Sequence, residues 1–147
     1  MTTDNSGNVY AAGHYEDYSV KFGSIVLGNT SVMIDNGFLV KYDVLDTAVW
    51  ARKIEGNLDV NMNGNWSERC NGISADQNGN VFVTGYFQSA SVTFGPTTIY
   101  RPGSNLFDAF FAKYDTNGNA LWAKSTGGSA LEMGTCATTY QHGNVYF

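Results

Sequence analysis

The sequence predicts an all-β chain built from repeated antiparallel sheets, and three observations carry that prediction. Segments recur at a constant offset: Asn8-Val9-Tyr10-Ala11-Ala12-Gly13 returns 72 residues later as Asn80-Val81-Phe82-Val83-Thr84-Gly85. The recurring segments are short and rich in β-branched and aromatic residues, the composition that suits a pleated, half-buried strand. Between them stand Gly, Asn, Asp and Ser clusters. Two of these, Asp76-Gln77-Asn78-Gly79-Asn80 and Asp115-Thr116-Asn117-Gly118-Asn119, contain the Asn-Gly pair that supplies the positive φ of a tight hairpin.

Taken in order, the elements pair across the repeat. Lys21-Phe22-Gly23 answers Thr93-Phe94-Gly95, Phe38-Leu39-Val40-Lys41-Tyr42-Asp43 answers Phe110-Phe111-Ala112-Lys113-Tyr114-Asp115, and Trp50-Ala51 answers Trp122-Ala123, all at the 72-residue offset. After the tryptophan the offset falls to 64, so that Glu68 matches Glu132 and Asn80 matches Asn144. The first unit therefore carries eight extra residues within 56–67. Strands are expected at 80–87, 91–94, 109–114 and 120–125. Residues 44–55 are ambiguous alone, because Leu45, Ala48, Val49 and Arg52 also fit helical spacing. Their counterpart contains Asn117-Gly118-Asn119, which breaks a helix, and the comparison decides for strand.

Each unit thus reads as four or five short antiparallel strands. One such sheet cannot bury both faces, so it must stack on a copy of itself, and four-stranded sheets repeated around an axis form a β-propeller. The expected organisation is a single propeller segment over 1–147: one repeat at about 4–75, a second at about 76–140, and the start of a third at 141–147. A propeller typically closes with 4 to 8 blades. Two repeats make an incomplete ring, expected to be a fragment of a longer propeller or one protomer of a ring of several chains.

Composition removes several classes. With 13 acidic and 8 basic residues the net charge is −5, which lacks the basic footprint of a nucleic-acid binder. Apolar runs are too short to span a membrane. Aromatic content of 14% is too high for disorder. The start, Met1-Thr2-Thr3-Asp4, is not a signal peptide, so the chain is expected to be unsecreted or a trimmed piece. Two cysteines, Cys70 and Cys136, are too few for a disulfide scaffold, and both are expected to be buried thiols, with a bond between them as the alternative.

The run from Asp108 to Gly128, with Asp-Ala-Phe-Phe-Ala-Lys-Tyr-Asp, then Gly-Asn-Ala-Leu-Trp-Ala-Lys and a closing Gly-Gly, resembles the SBBP β-propeller repeat family. Ile73-Ser74-Ala75-Asp76-Gln77-Asn78-Gly79-Asn80-Val81-Phe82-Val83-Thr84-Gly85 resembles the second half of that motif. The first repeat departs from it, with Asn36-Gly37-Phe38 for Asp-Ala-Phe and Val44-Leu45-Asp46-Thr47 where the Gly-Asn turn belongs. The Val92-Thr93-Phe94-Gly95 and Val20-Lys21-Phe22-Gly23 inserts look like the longer variant of secreted Bacteroidetes-type proteins. The resemblance implies an extracellular or cell-surface bacterial propeller, and it implies no reaction and no catalytic residue.

Candidate sites are few. Trp50 and Trp122, like Tyr42 and Tyr114, recur at equivalent positions and are expected to pack between blades. The Asp-x-x-Gly-Asn turns gather oxygens, making Asp76, Asn78, Asn80, Asp115, Asn117 and Asn119 weak calcium candidates, although Asp and Asn bind their own backbone in such turns without metal. No other metal and no cofactor is expected: His14, Cys70, Cys136 and His142 match no zinc spacing. Motifs for a nucleophile elbow, a phosphate loop or a zinc protease are missing. Glu68 and Glu132 form an equivalent pair of acids, usable for glycosidase chemistry only at the right separation, and a structural or channel-lining role is expected instead. The insertion within 56–67 is required by no blade. Its Asn63, Asn65 and Trp66 are the candidate ligand-binding set, suited to stacking on a sugar and bonding its hydroxyls. The sequence therefore points to a non-catalytic binding or assembly scaffold whose partners are a protein or glycan at the cell surface and neighbouring blades. A lectin-like binder made of oligomerised two-blade units is the alternative, and part of a secreted hydrolase a second.

Overall fold

In the computed structural model, residues 1–29, 34–57, 67–101, 107–140 and 144–147 are described. Every regular element among them is a strand: β1 (Thr2–Thr3), β2 (Val9–Tyr15), β3 (Ser19–Phe22), β4 (Ile25–Gly28), β5 (Asn36–Tyr42), β6 (Ala48–Ile54), β7 (Glu68–Ala75), β8 (Val81–Phe87), β9 (Ser91–Phe94), β10 (Thr97–Tyr100), β11 (Asp108–Tyr114), β12 (Ala120–Thr126), β13 (Thr138–Thr139) and β14 (Val145–Tyr146). The segment that was ambiguous between helix and strand contains β6, a strand.

Two four-stranded antiparallel sheets, in the orders β1-β2-β5-β6 and β12-β11-β8-β7, are propeller blades in an open, incomplete ring. Their registers repeat with the sequence: Val9 faces Tyr42 in the first sheet, and Val81 faces Tyr114 in the second. Even the irregularity recurs, as a bulge at Lys41/Tyr42 and again at Lys113/Tyr114. Each blade carries a side hairpin, β3-β4 or β9-β10, turned by Gly23 and Gly95 at φ 59° and 53°. The hairpins are pinned by equivalent aromatic pairs, Phe22 on Phe38 and Phe94 on Phe110, with centroids 5.0 and 5.3 Å apart. The sheets are phased one strand ahead of the sequence repeat. β7, at the tail of the first repeat, is the first strand of the second sheet, and β13 and β14 begin a further unit beside it.

The core lies in the seam between the blades. Tyr10, Leu39, Trp50 and Ile54 of the first sheet pack with Val81, Val83, Phe110, Ala112 and Tyr114 of the second, while Val92, Phe94 and Ile99 of the β9-β10 hairpin close one side. Alternation along each strand sends these residues to a single face, so stacking buries them together. Trp50 is 6% exposed in this seam. Its equivalent Trp122 is only half-buried, because no comparable turn among the described residues covers it. The expectation of two buried thiols holds for Cys70 and fails for Cys136, which is exposed on the stretch between β12 and β13.

Candidate functional site

The Asp-initiated turns are the most repeated polar feature, and their geometry is uniform. In the turn at 76–80, Oδ1 of Asp76 accepts the N–H groups of Asn78 and Asn80 at 2.9 Å each, and Oδ2 accepts the Asn80 side-chain amide at 2.8 Å. Asp115 does the same with Asn117 and Asn119, and Asp4 with Ser6 and Asn8. The first repeat lacks the Gly-Asn pair, yet Asp43 still accepts from Leu45 and Thr47, with Asp46 at φ 57° where the second repeat has Gly118 at φ 77°. In these turns the Asn80 and Asn119 side chains turn their amide hydrogens toward the carboxylate. Burial alone would raise the Asp4 and Asp115 carboxyls. The turn donors outweigh it, Tyr10 adding a hydroxyl at Asp4, and hold both below the ordinary 3.8.

The turns also join the blades. The 115–119 turn sits on the first sheet, where Trp50 Nε1 donates to Thr116 O at 3.0 Å and Arg52 donates from Nε to Gly118 O at 2.8 Å and from Nη2 to Asn117 O at 3.0 Å. Lys41 Nζ donates to Thr116 O and Oγ1 at 3.3 and 3.1 Å, and lies 5.5 Å from the centre of the Tyr10 ring. The Tyr10 hydroxyl donates to Asp4 at 2.9 Å and approaches Gly79 O at 3.4 Å. Burial and the nearby Asp4 carboxylate push that phenol up to about 12.

Glu68 is 1% exposed, and its Oε1 accepts both the hydroxyl and the N–H of Ser89, at 2.5 and 3.1 Å. It ties the start of β7 to the loop after β8. Burial drives its pKa above the ordinary 4.5, only partly offset by donors from Ser89, Gly56 and Gln88. Glu132 is half-buried and accepts from Gly128 N at 3.1 Å. The two equivalent acids thus serve two separate local anchors. Nothing in the sequence pairs Glu68 with Ser89.

Two open clefts lie among the described residues. One, of about 240 Å³, lies where the ends of β1, β7 and β13 meet, and Thr3, Asn5, Asp76, Gln77, Thr139 and Tyr140 are among its lining residues. Thr3, Ala75 and Thr139 occupy equivalent places in three successive units, and Thr139 Oγ1 donates to Ala75 O at 2.8 Å. The other, also about 240 Å³, runs along the seam past Arg52, Lys53, Phe94, Tyr114 and Asn119. The candidate ligand set Asn63, Asn65 and Trp66 lies outside the described residues. Sequence reasoning missed one grouping. His14, Glu16 and Asp35 each place a ligand-type atom within 4.8 Å of the others.

The repeated blades and the seam between them define the chain as a β-propeller segment built for binding or scaffolding. Residues 69–86, which include the Ile73–Gly85 stretch of the motif, match the family model of the SBBP β-propeller repeat. It is similar to an uncharacterized WD repeat-containing protein of Acanthamoeba polyphaga mimivirus, at 30% identity over 134 residues. The alignment covers 84% of this chain and 9% of that relative, so the chain spans under a tenth of the relative's length.

Proposed function

We propose that the chain is a non-catalytic propeller module that mediates adhesion or assembly outside or on the surface of a bacterial cell. One observation carries this reading. The carboxylates that invited chemistry are taken up by the fold, the Asp groups capping turns and Glu68 clamping Ser89, while the open polar pocket is assembled by three successive units. Rigid stacked sheets hold such a pocket at fixed geometry, which favours recognition. The WD repeat-containing name of the viral relative supports an interaction role. The extracellular and bacterial part rests on the SBBP resemblance.

A lectin-like reading draws on the same pocket, which the exposed Tyr140 lines together with Asn5 and Gln77. An aromatic face with amide donors suits a sugar. The test is a binding screen of the chain against cell-surface proteins and a glycan array, repeated with Gln77→Ala and Tyr140→Ala. Loss of binding in both variants supports the module, and the class of ligand retained decides between protein and glycan. Release of reducing sugar from a polysaccharide panel, abolished by Glu132→Gln, would replace the reading with a hydrolase.

A further inference from the structure

We infer that His14, Glu16 and Asp35 form a binding site for a divalent transition-metal ion of the zinc type, specific to the first blade. His14 faces Gly37 in the last but one pair of β2 with β5, Glu16 follows β2, and Asp35 immediately precedes β5, so the antiparallel register brings residues some twenty positions apart to one end of the sheet. One ligand-type atom from each lies within 4.8 Å of the other two.

Blade architecture does not ask for this chemistry. The equivalent positions of the second repeat hold Tyr86, Gln88 and Phe107, and Tyr86 and Phe107 simply pack edge to face with centroids 4.8 Å apart. In the first blade an aromatic contact has been exchanged for an imidazole and two carboxylates.

A second, independent feature points to a ligand. Asp35 is 6% exposed, and its Oδ1 has no hydrogen-bond partner among the described residues. All the donors it has, Ser67 Oγ and the Arg69 guanidinium, go to Oδ2. A buried carboxylate oxygen left empty is costly and rare. Arg69 also donates to Glu16 Oε1 at 3.3 Å, so one guanidinium is shared by two carboxylates and the cluster keeps a net negative charge. In the metal-bound form Arg69 keeps Oδ2 and fixes the carboxylate, the part outer partners play around metal ligands. The metal takes Oδ1, a Glu16 oxygen and an imidazole nitrogen.

Bond lengths of about 2.0–2.2 Å to zinc need the ligands closer together than they stand. His14 and Glu16 are exposed, and the contact of Glu16 with Arg69 is a surface pair, so both side chains have room to close on the fixed Asp35. The donor set selects the metal: an imidazole with two carboxylates suits zinc and its neighbours, whereas calcium wants six to eight oxygens. Three protein ligands leave a coordination position for water or a partner's side chain.

The experiment is a calorimetric Zn²⁺ titration of the chain in a Cys136→Ser background, which removes the exposed thiol as a competing ligand, with thermal unfolding measured alongside. One equivalent of zinc is expected to bind and to raise Tm. His14→Ala and Glu16→Gln, both exposed and harmless to folding, are each expected to weaken binding at least tenfold and to abolish the Tm rise. Failure of the parent chain to bind, or unchanged affinity in either variant, overturns the site.

Discussion

Gly118 is where the blade seam can be tested with a single methyl group. Its φ of 77° is a conformation that an L-residue enters at a cost of about 1–2 kcal/mol. A Cβ there would also lie 2.8 Å from Trp50 Cδ2 and 3.0 Å from both Trp50 Cε2 and Arg52 Nη2. The indole cannot step aside freely, because its Nε1 is bonded to Thr116 O and its ring leans on Tyr10 at 6.1 Å. Overpacking of this kind adds about 1–3 kcal/mol, so Gly118→Ala is expected to cost about 3 kcal/mol in all. Gly7 is the control. It has the same turn position and a φ of 82°, but its Cβ would meet only the Val44 methyl at 3.1 Å. Gly7→Ala should therefore show the conformational cost alone, about 1–2 kcal/mol. At roughly 2–4 °C per kcal/mol for a chain of this size, differential scanning calorimetry separates the two variants. Equal losses would refute the argument that the 115–119 turn is rigidly seated on Trp50.

Three further outcomes are expected. Glu68 has a raised pKa in the fold, so its contribution is fully present below about pH 4.5, its ordinary value, and declines as pH rises through the folded-state value. Glu68→Gln should remove that decline from urea-unfolding profiles, while the fall below pH 3.8 from the turn aspartates persists; an unchanged slope in the variant would sink the assignment. Calcium or a chelator should leave Tm unaltered, since turn donors occupy Asp76 and Asp115, and Asp76→Asn should cost about 1 kcal/mol from weaker capping; a calcium-dependent Tm would reverse this. Native iodoacetamide labelling should modify Cys136 alone, because burial pushes the Cys70 thiol up to about 12; labelling of both thiols without denaturant would contradict the seam.

Much of the fold is legible before any coordinates, because repetition supplies an internal comparison. Residues 44–55 look helical alone, and only the aligned Asn117-Gly118-Asn119 assigns them to strand, where β6 lies. The phase of the sheets is not legible. β7 follows the insertion and precedes the Asp76 turn, and nothing in a periodic pattern says on which side of that turn a blade begins. The turns are legible as turns, yet their docking on Lys41, Trp50 and Arg52 is a contact across some 65 to 75 residues that no local signal encodes. The clamp of Glu68 on Ser89 is hidden for the same reason. The His14, Glu16 and Asp35 grouping was readable in principle. The signal is a loss of repeat identity against Tyr86, Gln88 and Phe107, visible to anyone who asks where the first unit departs in chemistry instead of where it agrees.

The turn seated on Trp50 gives the stack a direction. The first sheet offers a socket of Tyr10, Lys41, Trp50 and Arg52, and the second fills it with a plug, the 115–119 turn. The second sheet repeats the socket as Phe82, Lys113, Trp122 and Lys124, with Lys113 Nζ 4.9 Å from the Phe82 ring centre. The first sheet repeats the plug in its own turn at 43–47, which holds Val44 and Leu45 out to solvent. Plug and socket are different surfaces, so two such units cannot meet through a two-fold axis. They add head to tail, and growth by that rule ends only when rotation brings the last socket to the first plug.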